Sequence, residues 1–376
     1  MGSTKRTHVL PFRAPEQAMK AASIRDRLTA HLEQLRVKQI SSRVGDVSDM
    51  SPAEAQKAVY DEIPFGDLIT LDDKKRLARR AMKLHAARTR GVPDLGWIKS
   101  EEERDQILAA SRGVDLTGIV TPDEADEIIA SVHSKMPWMS RVTVPFMKRM
   151  RQRAKRGEAF HVQPTLLLGP PGIGKSTIFH MISHLYGLPS VTVDVGSSGG
   201  GIFAVTGAER GWGSGHAGAV VRAILEQRVA NPLVIIDEID RGGRDTATEK
   251  GTILPGIHGA LLGMIEPETA ARWRCPYYGI EFDLQHVSWV MTSNTLNGLP
   301  SALLSRVQII RLESFRSAEV ADVTRTMSSG RLAPEVADAL AAMLSDHAER
   351  RPVDLRTIRR AIEKAEEMQH DEDPLH

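Results

Sequence analysis

The stretch from residue 165 to residue 177 decides the fold, because an apolar run passes directly into a glycine-rich loop. It reads Thr165-Leu166-Leu167-Leu168, then Gly169-Pro170-Pro171-Gly172-Ile173-Gly174-Lys175-Ser176-Thr177, and it continues into the helical pattern of Ile178 to Tyr186. Glycines let the backbone curl so that successive N–H groups point inward, and the positive end of the following helix adds to this anion site. We expect Lys175 to reach the β- and γ-phosphates of a nucleotide and Ser176 to bind Mg²⁺.

The loop therefore predicts a nucleotide-binding strand, loop and helix. The predicted binding residues are Gly169, Pro170, Gly172, Ile173, Gly174, Lys175, Ser176 and Thr177. The alternative is a glycine-rich surface loop, which the flanking strand and helix patterns disfavour.

Composition places the chain among ordinary globular proteins. Its 376 residues, 41% hydrophobic and 26% charged, are enough for two or three domains. A net charge of +1 neither favours nor excludes a polyanionic partner. The single cysteine, Cys275, excludes an internal disulfide and a cysteine-based zinc cluster. The start of the chain lacks an apolar signal region and no apolar run approaches about 18 residues, so we expect a cytoplasmic protein without a membrane partner.

The first part of the chain shows helical patterns only. Apolar residues recur at helical spacing from Ile24 to Leu35, and capping-box patterns begin at Ser51, Ser100 and Thr121. We predict an all-helical N-terminal region over residues 1–135, an α/β ATPase domain over 136–312 and a small helical lid domain over 313–376.

Two predicted helices are strongly basic. Their cations are Lys74, Lys75, Arg76, Arg79, Arg80, Lys83, Arg88 and Arg90 in one, and Lys148, Arg149, Arg151, Arg153, Lys155 and Arg156 in the other. They could contact nucleic-acid phosphates. Because no aromatic residues are interleaved, a solvated face or a subunit interface is the favoured interpretation.

From Thr165 onward, short apolar strands alternate with helices. The predicted strands are Thr165 to Leu168, Ser190 to Asp194, Leu233 to Ile236, Val287 to Met291 and Val307 to Arg311. This alternation predicts a parallel sheet covered by helices on both faces, with ligands bound at the carboxyl ends of the strands.

Acidic and polar residues follow two of these strands. Asp237 and Glu238 end the run that starts at Leu233, and Asn294 follows the strand that ends near Met291. Asp237 suits a Mg²⁺ contact, Glu238 suits the general base that activates water, and Asn294 would hold that water from the other side. Solvated loop carboxylates and turn chemistry at Asn297-Gly298 are the alternatives.

An arginine, Arg306, ends the run from Pro300 just before the last predicted strand. Projecting into a neighbouring subunit, it would neutralise charge in the transition state, an effect worth about 10³ to 10⁵ in rate where arginine fingers have been measured. A surface salt bridge is the alternative.

These motifs together resemble the AAA+ ATPases, and most closely the ATPase module of Lon proteases. The matching segments are the phosphate loop, Asn231 to Asp240, Ala260 to Glu268, Trp289 to Asn294 and Pro300 to Arg306. The resemblance covers residues 160–312 well and the helical tail weakly. It implies Mg²⁺-dependent ATP hydrolysis in a homo-oligomeric ring, a hexamer, with Asn294 as sensor 1 and Arg306 as the arginine finger.

The same resemblance points to Trp212 as an aromatic pore-loop residue that grips a translocated protein. A buried tryptophan under a glycine-rich turn is the alternative. Two departures stand out. The chain leaves no room for a Ser/Lys protease domain after the lid, and Val353 occupies the position of the sensor 2 arginine, so Arg351 or Arg356 would replace it.

The leading hypothesis is thus a Lon-like AAA+ ATPase without protease activity that remodels or threads a protein substrate. The second is an ATP-dependent DNA-binding or DNA-remodelling protein that uses the basic helices. The third, a scaffold that binds nucleotide without turnover, conflicts with the pair Asp237 and Glu238 and with Asn294.

Overall fold

The computed structural model describes most of the chain in two compact units. The described residues are 5–13, 21–44, 68–88, 92–196, 201–210, 215–242, 246–247, 253–254 and 256–371. One unit comprises Phe12–Arg112, and the other comprises Met1–Pro11 together with Gly113–His376. The domain boundaries at 135 and 312 stay predictions, whereas the division between the two units falls at residue 112.

The described residues of the unit Phe12–Arg112 are mainly helical. They include the helices α1 (Ala21–Val44), α2 (Leu71–Arg88) and α3 (Glu101–Ser111). An ion pair joins α1 to α2, with 2.7 Å between Arg36 Nη1 and Asp73 Oδ2. A hydrogen bond from the Thr70 hydroxyl, and secondly one from Arg36, lower the pKa of the Asp73 carboxyl to about 2. Ser100 accepts a hydrogen bond from the Glu103 N–H at 3.2 Å and begins α3, whereas the cap predicted at Ser51 lies outside the described residues.

The larger unit is α/β. Its helices are α4 (Pro122–Lys135), α5 (Ser140–Lys155), α6 (Lys175–Leu185), α7 (Ile202–Thr206), α8 (Ala219–Gln227), α9 (Ile257–Ile265), α10 (Pro267–Ala270), α11 (Ser301–Leu304), α12 (Ser317–Ser328), α13 (Pro334–Arg350) and α14 (Leu355–Asp371). The strands are β1 (Lys5–Thr7), β2 (Val114–Leu116), β3 (Thr165–Leu168), β4 (Ser190–Asp194), β5 (Gly207–Ala208), β6 (His216–Ala217), β7 (Leu233–Asp237), β8 (Thr246–Ala247), β9 (Ile253–Leu254), β10 (Trp273–Arg274), β11 (Glu281–Phe282), β12 (Ser288–Ser293) and β13 (Gln308–Arg311).

A five-stranded parallel sheet forms the centre of this unit, in the order β13-β3-β12-β7-β4. Strands β3 and β12 are buried along their whole length, which explains the apolar runs Leu166–Leu168 and Trp289–Met291 within them. The register places Leu168 opposite Ser293 and Asp194 opposite Asp237, so the carboxyl ends of these strands meet at one edge. The predicted parallel α/β fold is confirmed, and polar loop residues collect at this edge.

The prediction of an all-helical N-terminal region needs one correction. Strand β1 pairs antiparallel with β2, with Lys5 opposite Leu116. Such a pairing joins residues about a hundred positions apart, so local sequence periodicity does not reveal it. The other described residues of this region are mostly helical.

Helix α4 begins with the predicted capping box. The Thr121 hydroxyl accepts from the Glu124 N–H at 3.2 Å, and the Glu124 carboxylate accepts from the Thr121 N–H at 2.7 Å. Ile129 and Val132 of this helix are buried in the same core as Leu167 and Ile178. Helix α4 therefore packs with the sheet, although its sequence was assigned to the N-terminal region.

The last three helices form the helical region predicted as a lid. Val320 of α12, Leu340 of α13 and Ile358 of α14 are buried in the core. Among the described residues, no helix is both long enough and apolar enough to cross a membrane.

Candidate nucleotide-binding site

The glycine-rich loop adopts a conformation that side chains would disfavour. Gly172 and Gly174 have φ angles of 73° and 94°, in the left-handed region. A Cβ atom on Gly174 would lie 2.7 Å from Met136 Cε, and one on Gly172 would collide with the carboxylate of Asp354. Glycine at both positions lets the loop curl against its neighbours and begin α6 at Lys175.

Lys175, the one charged residue of the loop, is buried, with 8% of its surface exposed. Its Nζ donates to the carbonyl oxygens of Gly169 at 2.7 Å and Pro170 at 2.9 Å, and to Asn294 Oδ1 at 2.8 Å. Burial lowers the pKa of the Lys175 ammonium from its ordinary value, while nearby carboxylates, chiefly Asp237, act in the opposite direction. The structure thus joins the phosphate loop to Asn294 through one cation.

Thr292 links the Asp237 carboxylate to the backbone of Glu238 at the end of β7. Its hydroxyl donates to Asp237 Oδ1 at 2.5 Å and accepts from the backbone N–H of Glu238 at 3.2 Å. The sequence predictions do not include Thr292. The available signal is a hydroxyl residue near the carboxyl end of a buried strand.

Glu238 lies directly after β7 in a strained conformation. Its φ of 55° and ψ of 46° are left-handed values, which residues other than glycine seldom adopt. The Arg241 guanidinium lies 2.9 Å from Glu238 Oε2. This turn directs the glutamate away from the strand axis and into the cavity described below.

Asp240 supports Asn294 from the same turn. Its Oδ2 accepts from the Asn294 N–H at 3.2 Å. Within the described part of the chain, the buried Asp240 Oδ1 has no hydrogen-bond partner. The backbone of Asn294 is thereby tied to the segment that carries Glu238.

A cavity of about 470 Å³ collects these side chains at the carboxyl edge of the sheet. Ligand sites typically enclose about 300–1,000 Å³. Its lining residues are Pro171, Gly172, Gly174, Lys175, Ser176, Thr177, Asp194, Asp237, Glu238, Thr292, Asn294, Leu355, Arg356, Arg359, Arg360 and Glu363. Gly169 and Pro170 of the predicted set contribute through their bonds to Lys175, and the Ile173 carbonyl oxygen accepts from Trp138 Nε1 at 3.0 Å.

A smaller cavity of about 100 Å³ also touches the loop, at Ile173. Trp138, Leu312 and Phe315 are among its lining residues. The indole of Trp138 and the ring of Phe315 meet edge to face, with 5.8 Å between their centroids. Charged side chains, among them Arg141 and Glu319, also line this pocket. No local pattern in the sequence predicts it, because its walls come from distant segments.

The start of α14 meets the phosphate loop directly. The Leu355 N–H donates to the Gly172 carbonyl oxygen at 2.9 Å. Asp354 caps α14 by accepting from the Thr357 N–H at 2.8 Å. Val353 is buried, with 3% of its surface exposed, so it has no polar role in the cavity.

Three arginines of α14 instead line the cavity. Arg356, predicted as a replacement for the sensor 2 arginine, is joined by Arg359 and Arg360. These positions share one helical face because they are spaced three and four residues apart. Arg351, the other predicted replacement, is not among the lining residues.

Arg306 lies apart from this cavity. Its Nε forms an ion pair with Glu266 Oε2, and its Nη1 donates to the Ala302 carbonyl oxygen at 2.9 Å. Its side chain is 41% exposed. The surface salt bridge considered as an alternative is therefore present, and the guanidinium is accessible from outside the chain.

Trp212, the predicted pore-loop residue, lies outside the described residues. Over the described ranges, no group of three or more His, Cys, Asp or Glu side chains is placed to hold a metal ion.

The sheet order, the glycine-rich loop and the carboxylates at the strand ends agree with a comparison against known families. Residues 165–314 match the ATPase family associated with various cellular activities (AAA). This part of the chain is therefore similar to an AAA ATPase domain. This match begins at β3 and ends just beyond β13, so it spans the sheet and the cavity residues from Pro171 to Asn294, but not the cavity residues of α14.

Curated relatives of the AAA domain include Lon proteases from several bacteria. The protein from Neorickettsia sennetsu is 32% identical over 48% of this chain and 21% of its own length. That from Frankia alni is 29% identical over 62% of this chain and 25% of its own. That from Nitrosococcus oceani is 25% identical over 76% of this chain and 35% of its own.

The chain therefore spans between 21% and 35% of the length of these three relatives. The predicted resemblance to the AAA+ ATPases and to Lon proteases is confirmed, and the comparisons support an ATPase.

Proposed function

We propose that the chain hydrolyses ATP at a site shared by neighbouring subunits of a homo-oligomeric ring, and that it uses this energy to remodel or thread a protein. One observation carries the proposal: a phosphate loop, two carboxylates and Asn294 converge on one cavity, while Arg306 lies exposed elsewhere. Each of these groups suits one part of phosphoryl transfer to water.

The phosphate loop supplies the binding half of the proposed reaction. Its N–H groups and Lys175 would hold the β- and γ-phosphates, and the small pocket at Ile173, which the rings of Trp138 and Phe315 help to line, would receive the base. Ser176 and Asp237 line the same cavity, and their oxygens suit Mg²⁺. Mg²⁺ bound there would neutralise phosphate charge, and since it uses substrate phosphates as ligands, it requires no cluster of protein carboxylates.

Hydrolysis itself requires an activated water. Glu238 would accept a proton from that water as its oxygen attacks the γ-phosphorus, and the bond from this phosphorus to the β-phosphate oxygen would break. The products are ADP and phosphate. The bonds that Thr292 makes to Asp237 and to the Glu238 N–H would hold both carboxylates in place.

Two sets of arginines would complete the site. Arg306 would reach the γ-phosphate bound by the neighbouring subunit, which makes assembly a condition for turnover. Arg356 would contact the nucleotide from the lid, together with Arg359 and Arg360. A hexamer, a cytoplasmic location, a role of Trp212 in gripping the substrate and the absence of peptidase activity stay predictions.

A Glu238→Gln variant tests the assignment of the general base. The amide keeps the size of the side chain but cannot accept the proton, so we expect ATP binding to persist and kcat to fall about 10² to 10⁴-fold. Glu363→Gln is a matched control, because Glu363 lines the same cavity from α14. Unchanged steady-state turnover in Glu238→Gln would remove Glu238 from its role.

A second candidate function, DNA binding, is favoured by the contrast between the two basic helices. In α5, Arg141 pairs with Glu313, Arg151 with Asp126 and Arg153 with Glu158. In α2, Arg76 pairs with Asp72. Among the residues that the structure describes, Lys74, Lys75, Arg79, Arg80 and Lys83 of α2 have no ion-pair partner.

We place the DNA hypothesis on α2, where more of the described cations lack an ion-pair partner than in the second basic helix, in which Arg151, Arg153 and Arg156 are paired. If these cations contact DNA phosphates, log affinity should fall linearly with log salt, with a slope of about −0.9 for each contact on duplex DNA. Charge reversal at Lys75 and Arg79 should reduce that slope, whereas reversal at Arg151 should not. An absence of DNA binding at low salt would end this hypothesis.

A further inference from the structure

The guanidinium of Arg306 is held from two sides by its own chain. Nε pairs with Glu266 and Nη1 donates to the Ala302 carbonyl oxygen. An arginine carries five N–H donors in a planar fork. Within the described part of the chain, Nη2 has no partner. The bonds to Glu266 and Ala302 thus fix the plane of the guanidinium. The two N–H groups of Nη2 stay accessible.

Glu266 itself stands at a well-defined point of the backbone. It follows α9 directly, its N–H donates to the Leu262 carbonyl oxygen at 3.2 Å, and its own carbonyl oxygen accepts from the Ala270 N–H at 2.8 Å. The residue is therefore bonded to the helix before it and to the helix after it. A carboxylate on such a fixed junction can orient Arg306 reproducibly.

The other end of α9 contacts the turn that follows Glu238. His258 Nε2 lies 2.9 Å from the Ile239 carbonyl oxygen, and because a carbonyl only accepts, the ring proton must be on Nε2. A Cβ atom on Gly242 would lie 2.5 Å from Ile257 Cγ2, so the turn and the helix start are in close contact. Nine residues of helix, about 12 Å, separate this contact from Glu266.

We propose that Glu266 is a positioning residue for Arg306, and that α9 fixes its place relative to the turn after Glu238. This inference rests on the proposed role of Arg306 at the neighbouring subunit's site. The same helix would then connect the general base of one site with the arginine delivered to the next. Because an exposed ion pair adds little to stability, removing Glu266 should leave the fold intact.

A Glu266→Ala variant should keep its nucleotide affinity and its assembly, but kcat of the oligomer should fall about tenfold to a hundredfold, as expected for a misplaced catalytic group. Glu266→Asp should recover part of this loss. The control is Glu268→Ala, because Glu268 is exposed and lies only two residues away. Equal kcat values for Glu266→Ala and Glu268→Ala would overturn the inference.

Mixed oligomers separate positioning from a general structural defect. Glu238→Gln subunits are inactive at their own site but carry an intact Arg306 and Glu266. Adding them to Glu266→Ala subunits should therefore raise the ATPase rate per Glu266→Ala subunit. If the rate does not rise although the subunits mix, the defect lies within the Glu266→Ala site and the inference is wrong.

Arg306→Ala subunits, mixed in the same way with Glu238→Gln subunits, test the proposed function by itself. Recovery in this mixture together with a normal Glu266→Ala variant would overturn only the role of Glu266. Failure to recover would overturn the arginine-finger assignment, and the role of Glu266 with it.

Discussion

The two halves of the proposed site are built differently. The buried half comprises the buried Lys175 and Thr292 and the half-buried Asn294 and Asp237. Hydrogen bonds of 2.8 Å and 2.5 Å link these residues into two pairs across three strand ends. The exposed half consists of Arg306 and the lid arginine Arg356, on other elements. The residues of the buried half contact one another within one chain. The arginines of the exposed half would act only once a nucleotide is bound next to them.

The difference has a functional meaning in the proposed reaction. Buried groups that satisfy one another keep their geometry before a ligand arrives, which lowers the cost of reorganisation during catalysis. Exposed arginines can instead contact the nucleotide only when the neighbouring subunit or the lid is in place. Substitutions in the two halves should therefore differ in whether assembly changes their effect.

The largest effect is expected in the exposed half, for Arg306→Ala. Loss of the guanidinium should reduce kcat of the assembled protein by about 10³ to 10⁵, while nucleotide affinity stays near its original value. Steady-state turnover and equilibrium binding of a nucleotide measure the two quantities. Arg306→Lys keeps a charge but not the fork, so its kcat should lie between those of the two other proteins. An unchanged kcat in Arg306→Ala would show that Arg306 of the exposed half takes no part in hydrolysis.

In the buried half, Thr292→Val should have a smaller effect than Arg306→Ala or Glu238→Gln. Valine has a similar shape but leaves Asp237 Oδ1 and the Glu238 N–H without their hydroxyl partner. A lost bond of this kind costs about 1–3 kcal/mol, which corresponds to roughly a tenfold to hundredfold lower kcat. The matched variant Thr292→Ser keeps the hydroxyl and should retain most of the activity. If valine and serine are equivalent in single-turnover experiments, Thr292 does not position the carboxylates.

The lid arginines should have smaller effects that appear in KM. Arg356→Ala removes an exposed cation from the cavity, so we expect KM for ATP to rise about tenfold, the lower end for a hydrogen bond to a charged group. Arg359→Ala and Arg360→Ala measure how the role is shared. Arg351→Ala is the control, and a KM for this control as high as that of Arg356→Ala would show that lining the cavity does not identify the residue.

The smallest effect is expected on stability, at the contact between the lid and the phosphate loop. Asp354→Ala removes the cap of α14, a change worth about 1 kcal/mol. The melting temperature should fall by a few degrees and more nucleotide should be needed for half-saturation. Asp354→Asn can still accept from the Thr357 N–H and should melt close to the original protein. A greater loss of stability in the asparagine variant would contradict capping as the role of Asp354.

The buried half was largely predictable from the sequence, and the reason is local. A phosphate loop needs glycines where the backbone is left-handed. Carboxylates that reach the cavity must lie at the end of a buried strand, as Asp237 and Glu238 do. Both requirements leave a mark within about ten residues of sequence. The five predicted strands accordingly agree with the structure to within two residues at either end.

Other parts of the site depend on contacts between distant segments. Thr292 lies 55 positions from Asp237, and Arg306 lies 40 positions from Glu266. No spacing rule links such pairs. Arg359 and Arg360 were missed for a related reason, because only the docking of α14 at Gly172 shows which of its faces meets the cavity.

The most direct test of the shared site is the ATPase rate per subunit as a function of protein concentration, measured together with the mass of the particle by sedimentation. If Arg306 acts on the neighbouring subunit, the rate per subunit should rise with the fraction of assembled protein. Arg306→Ala should assemble over the same concentration range and stay at the low rate. A rate per subunit that is the same before and after assembly would contradict the shared site.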